Sequence, residues 1–171
     1  MQVSVIHDYK ENLDTLLRYF SEEELIVEKY QQLGAKNVRV TKIAETDDGF
    51  IVETQREMPA NVPGVLKSLL GSHNVIKQSE TWHWQENDQL LCKLNVEIIG
   101  VPAFISGQMM FSEPADRNGI ATQNNVSMDV TSSIPLVGST LVSFICNDMK
   151  AQMDGEYDFL CRALPQLVTE E

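Results

Sequence analysis

Apolar and polar residues alternate with period two along most of this chain, and the alternation gives way to helical spacing near both ends. The opening stretch MQVSVIHDY sets Val3 and Val5 between polar neighbours and predicts a strand, with His7 near its end as a surface residue. In KENLDTLLRYF the residues Leu13, Leu16, Leu17 and Phe20 recur at helical spacing. Ser21 followed by Glu24 reads as a capping box opening a second helix, SEEELIVEKYQQLG, which Gly34 closes. From residue 37, NVRVTKIAETDDGFIVETQREMP reads as a hairpin that turns at Asp48-Gly49 and ends at Pro59. VPGVLKSLLG is a short apolar helical turn. Strands then follow in NVIKQSETWHW, LLCKLNVEIIGVP, FISGQMMFSEP and GIATQNNVSMDVTSSIP, with turns at Asn87-Asp88, Val101-Pro102 and Asn118-Gly119.

The end of the chain is helical again. From Ser139 to Leu164 there is no proline, and Leu141, Ile145, Met149, Met153, Tyr157, Leu160 and Leu164 recur every three or four residues. This predicts one helix of about 26 residues, roughly 39 Å long. A twisted sheet formed by the preceding strands has to bury its apolar face, and only this helix is long enough to cover it. The expected fold class is α+β: an antiparallel sheet of about seven strands wrapped around a long C-terminal helix, with two short helices after the first strand and residues 1–171 as a single domain.

The segments REMPANVPGVLKSLLG, QSETWHW and SSIPLVGSTLVSFICNDMKAQMDGEYDFL resemble the START-like, or SRPBCC, superfamily of helix-grip proteins, which includes polyketide cyclases and birch-pollen-allergen-like proteins. They are most similar to an uncharacterised bacterial branch of unknown function. In that branch a Pro-Gly-hydrophobic helix precedes a strand ending Glu-Thr-Trp, and an Ile/Val-Pro-Leu-Val-Gly turn opens the last helix. The resemblance implies a cavity between sheet and helix, often holding an apolar or amphipathic small molecule. None of these motifs is catalytic by itself.

Alternation assigns the residues that face the long helix. Cys92, Leu94, Val96 and Ile98 point inward on the fifth strand, Ile105, Gly107, Met109 and Phe111 on the sixth, and Val126, Met128 and Val130 on the seventh. Between residues 75 and 84, buried area favours the face with Ile76, Gln78, Glu80, Trp82 and Trp84, which puts a carboxylate inside. On the strand before it, the more apolar face brings Arg56 inward together with Phe50, Val52, Thr54 and Met58. A buried ion is tolerated only when paired or hydrogen-bonded, so Arg56 and Glu80 are expected to meet. They would form the polar anchor of a ligand pocket, with Gln78, Thr54, Thr122 and Asn124 as further candidates, or an internal salt bridge in a filled core. Trp82, Val96, Met109, Met128 and Met149 are the candidate apolar wall; methionine adapts to varied shapes, although the same spacings serve ordinary core filling. VPGVLKSLLG reads equally as a gate hinged at Gly64 and Gly71 or as a crossover cap.

Charge removes some function classes. A formal charge of −12 and a pI near 4.6, with basic residues scattered singly, oppose a nucleic-acid partner. The N-terminus does not resemble a signal peptide and no apolar run approaches the roughly 20 residues of a bilayer span, so no integral membrane segment and a cytoplasmic location are expected. Cys92, Cys146 and Cys161 lack CxxC spacing and read as reduced thiols, and His7, His73 and His83 stand at no metal-ligand spacing. Neither GxGxxG, a phosphate loop nor a GxSxG elbow is present, so no cofactor is expected. Three functions remain. One is a carrier or sensor for a hydrophobic or amphipathic small molecule of lipid, polyketide or isoprenoid type. The others are a cyclase- or dehydratase-type enzyme with Glu80 as acid or base, and a protein-interaction module without a ligand. The apolar inward faces favour the first.

Overall fold

The computed structural model describes residues 1–116 and 118–170. The strands are β1 (Gln2–Tyr9), β2 (Lys36–Thr46), β3 (Gly49–Pro59), β4 (His73–Trp84), β5 (Leu90–Ile98), β6 (Phe104–Ser112) and β7 (Thr122–Thr131). They form one antiparallel seven-stranded sheet in the order β1-β7-β6-β5-β4-β3-β2. Successive hairpins account for every pairing except that of β1, which runs against β7 from Gln2 opposite Asp129 to Tyr9 opposite Thr122. Helices α1 (Leu13–Ser21) and α2 (Glu23–Gln32) connect the two edge strands, α3 (Lys67–Leu70) caps the β3–β4 connection, and α4 (Gly138–Thr169) ends the chain. The α+β class, the strand count and the long C-terminal helix are as the hydrophobic pattern predicts.

Local details differ from the sequence reading. The cap of α1 is Asn12, whose side-chain oxygen accepts from the Thr15 N–H at 2.9 Å, a bond of the kind worth about 1 kcal/mol. Ser21 opens no helix: it closes α1, and its hydroxyl donates to the Leu17 carbonyl at 2.9 Å. Glu22 precedes α2 without a side-chain cap. The β2–β3 turn is made by Asp47 and Asp48, one residue earlier than expected, because Gly49 already pairs with Thr46. Gly49 has a different reason to be glycine, since a Cβ there would run into the Trp82 backbone carbonyl of the neighbouring strand. His7, expected at the surface, is buried on the same face as Val3 and Val5, and its ring stacks on Tyr157 at 4.4 Å between centroids.

Helix α4 has 32 residues, longer than its periodicity suggests, and it continues through Pro165. Proline removes one backbone donor there, but Leu164 and Leu167 on either side are buried and hold the last turns against the core. The helix is anchored at both ends, by Leu141, Val142, Ile145 and Cys146 and then by Phe159, Leu160, Leu164 and Leu167. Each fully buried leucine contributes about 1.5–3 kcal/mol. Between the anchors Met149, Gln152, Met153 and Glu156 are only partly buried, and they face a void rather than packed side chains. The end of α2 comes close at this point, where Gly155 of α4 leaves room for the Leu33 side chain.

Trp82 holds the sheet side together. Its ring stacks on Phe50 at 5.2 Å and meets Phe20 at 5.5 Å and Phe111 at 5.6 Å; aromatic pairs of this kind contribute about 0.5–1.5 kcal/mol each beyond their burial. Trp84 lies on the same strand face but at the strand's end, where it is 44% exposed, so it is not the interior residue that alternation suggests.

Candidate functional site

The void beside the middle of α4 is a cavity of about 160 Å³. Its sheet wall is built by period-two alternation on six strands, β1 and β3 to β7, and its other wall mainly by α2 and α4. Of the residues singled out from sequence, Arg56, Gln78, Glu80, Val96, Met109, Met128 and Met149 all line it. Trp82 does not: it sits behind Glu80 in the aromatic cluster. Asn124 is also on the wall, whereas Thr54 and Thr122 are not. Thr122 instead donates to the Glu11 carbonyl at 2.9 Å. The exposed residues Pro59 and Asp148 belong to the lining as well and mark its rim.

One end of the cavity carries a chain of buried polar groups. Gln78 is its centre: its amide N–H₂ donates to Glu80 at 2.6 Å and to the Tyr30 hydroxyl at 3.2 Å, and its carbonyl accepts from Arg56 Nη2 at 3.1 Å. The second Glu80 oxygen accepts from Trp82 Nε1 at 3.0 Å. The expected Arg56–Glu80 contact is therefore absent. In the β3–β4 register Val52 stands opposite Glu80 and Arg56 opposite Ile76, an offset of four residues or about 13 Å along the strand. Gln78 occupies the space between them.

The cation that faces Glu80 is Lys29, which sequence reasoning missed. Lys29 is 1% exposed; its ammonium lies 3.4 Å from Glu156 and 3.8 Å over the Phe20 ring. The signal for it was present, since Ile26, Lys29, Tyr30 and Leu33 fall at helical spacing on one face of α2. Burial pushes the Glu80 carboxyl upward, and the Lys29 charge with the hydrogen bonds from Trp82 and Gln78 opposes this without cancelling it. Burial works to lower Lys29, but Glu156, followed by Tyr30 and Glu80, outweighs it and the ammonium titrates above its usual range. At the other side of the site burial lowers His7, against the nearby carboxylates of Glu156, Asp154, Asp8 and Asp158.

The buried polar groups differ in how fully they are matched. Both Glu80 oxygens are already held by donors, and Cys92 is a buried thiol pushed up by desolvation. What the site leaves open are hydrogen-bonding positions: Asn124 Oδ1 and Arg56 Nη1 are buried without a partner. Among the described residues no group of three or more His, Cys, Asp or Glu could hold a metal ion, and no helix is long and apolar enough to cross a membrane.

Solved structures share this architecture at low identity. A protein from Thermus thermophilus matches with a TM-score of 0.61 at 12% identity, covering 95% of this chain and 99% of that one. A conserved protein from Geobacillus kaustophilus matches at 0.55 and 8% identity over 96% and 94% of the two chains. A protein of unknown function from Staphylococcus aureus matches at 0.54 and 10% identity over 99% and 94%. These likenesses establish a common fold. No protein with a curated description matches the chain significantly. Residues 4–164 match the family described as Protein of unknown function (DUF2505), and the chain belongs to that family.

Proposed function

We propose that this protein is a START-like (SRPBCC) domain over residues 1–171 that binds a small amphipathic molecule between its sheet and α4, as a carrier or sensor. The observation that carries this reading is the cavity of about 160 Å³, with an apolar stretch of wall between polar groups at the Gln78 end and at His7 and Asn124 across the sheet. Protein interiors are close-packed, and this one leaves a void beside the middle of α4. Met149 and Met153 face it where larger side chains would fill it. The unpartnered Asn124 and Arg56 atoms give an occupant something to bond.

The size bounds the ligand. An apolar cavity of about 150 Å³ accepts benzene, so the space here suits a single ring or a short branched chain, and a long-chain lipid would have to extend past the rim at Pro59 and Asp148. The test is titration of ¹⁵N-labelled protein with small ring-bearing alcohols and acids, followed by NMR. The reading expects saturable shifts at Val96, Met109, Met128 and Met149 that Met149→Trp abolishes. Absence of any saturable shift at millimolar ligand would reject it.

A further inference from the structure

The polar end of the cavity is unevenly matched, and the mismatch specifies a head group. Lys29 has Glu156 at 3.4 Å. Glu80 has two donated hydrogen bonds as well as the Lys29 charge. Arg56 has neither kind of match: among the described residues no carboxylate forms an ion pair with it. Its one hydrogen bond goes to the neutral amide of Gln78 at 3.1 Å, and Nη1 is buried without an acceptor. The guanidinium is held in place by the Tyr30 ring, 4.0 Å from its centroid. Tyr30 is itself 5% exposed, and its hydroxyl accepts from Gln78 while its own proton has no acceptor among the described residues. Two donors on side chains in contact with each other, one of them cationic, thus belong to residues of the cavity wall and have no acceptor among the described residues.

Resting on the cavity-binding reading above, we infer that the ligand is a small monocarboxylic acid whose carboxylate is received by Arg56 Nη1 and the Tyr30 hydroxyl. Two donors match the two oxygens of one carboxylate, and charge-assisted bonds from arginine are the strong ones. A phosphate would bring a further oxygen and further negative charge toward Glu80 and Glu156 with no donor left to take them. An alcohol would meet the donors but leave the guanidinium charge unmatched. An amine would be repelled by it. The acid's apolar body lies toward Val96, where the wall turns hydrophobic.

The test compares ligands that differ only in head group, using isothermal titration at pH 7.5: 3-phenylpropionate, 3-phenylpropan-1-ol and 3-phenylpropylamine, with octanoate and octan-1-ol as a second pair. Each acid is expected to bind at least tenfold more tightly than its alcohol, with the amine weakest. Arg56→Gln should remove the acid's advantage over the alcohol, and Tyr30→Phe should reduce that advantage severalfold. An alcohol or amine that binds as tightly as the acid overturns the inference but leaves the cavity reading standing. So does an acid preference that survives in Arg56→Gln. Should either variant fail to fold, the comparison on the unaltered protein decides alone. If none of the five ligands binds, the head group of whatever organic extraction of the protein releases decides: a carboxylic acid supports the inference and any other head group overturns it. An extract holding no small molecule removes the cavity reading and the inference together.

Discussion

Replacing Lys29 by methionine is the most informative perturbation of the buried charges, because it keeps the stem's volume and removes only the ammonium. Lys29 is 1% exposed and Glu80 4%, so the variant leaves a carboxylate in a dry site with its hydrogen bonds from Gln78 and Trp82 but without its cation. The ion pair of Lys29 is with the partly exposed Glu156 at 3.4 Å, and its charge acts on Glu80 beyond contact distance; removing a cation from a buried carboxylate costs up to about 3–5 kcal/mol. Protonation offers the carboxylate an escape, and that makes the cost depend on pH. Glu80 already titrates above its usual range, and loss of the cation raises it further. A carboxyl raised in the folded state stabilises the fold fully below its unfolded pKa, about 4.3, and loses that contribution as pH rises through the folded value. The deficit of Lys29→Met relative to the unaltered protein should therefore be small at pH 5 and reach about 3–5 kcal/mol at pH 8. Lys29→Met combined with Glu80→Gln should recover most of it. Urea unfolding followed by the fluorescence of buried Trp82 measures all three proteins. A deficit below about 1 kcal/mol at pH 8, a deficit that ignores pH, or no recovery in the double variant would refute the electrostatic support of Glu80 by Lys29.

Other outcomes follow from single contacts. Gly49→Ala drives a methyl into the Trp82 carbonyl and should cost about 1–3 kcal/mol, read as a lower urea midpoint; an unchanged midpoint would mean the strands can separate freely at that turn. Because burial lowers His7, the unfolded chain takes up that proton first as pH falls below about 6.5. Stability should then decline through the lowered folded value, and His7→Gln should flatten the decline; equal slopes in the two proteins would contradict it. Met149→Trp fills the void from α4 and should weaken binding of ring-bearing ligands at least tenfold, a change of about 1.4 kcal/mol, with the fold's circular dichroism unchanged. Retained affinity would place the ligand elsewhere.

Much of the fold was legible because its two periods are clean. Alternation on β5 to β7 named the inward residues, and the 3–4 spacing through Leu141, Ile145 and Leu160 found the long helix that covers the sheet. The same alternation places Val96, Met109 and Met128 on the cavity wall. The Arg56–Glu80 pairing failed because a strand's face is written in its own sequence, whereas register depends on the partner strand and the turn between them. Lys29 escaped because it enters from a helix, where a lysine on the apolar face looks like a solvated stem end. His7 was within reach, sharing the phase of Val3 and Val5, but its chemistry suggested a surface position. Trp84 failed for the opposite reason, since alternation gives the face and not how far the covering helix extends.

Native mass spectrometry of the protein purified from cells, followed by organic extraction, reads directly whether the cavity is occupied. The expected spectrum contains a species heavier than the chain by one small molecule, absent from Met149→Trp, and the extract holds a compound that pairs an apolar ring or short chain with a polar head. A spectrum of the bare chain only, together with an empty extract and no saturable shift in the NMR titration, would contradict the proposal that this domain binds small molecules.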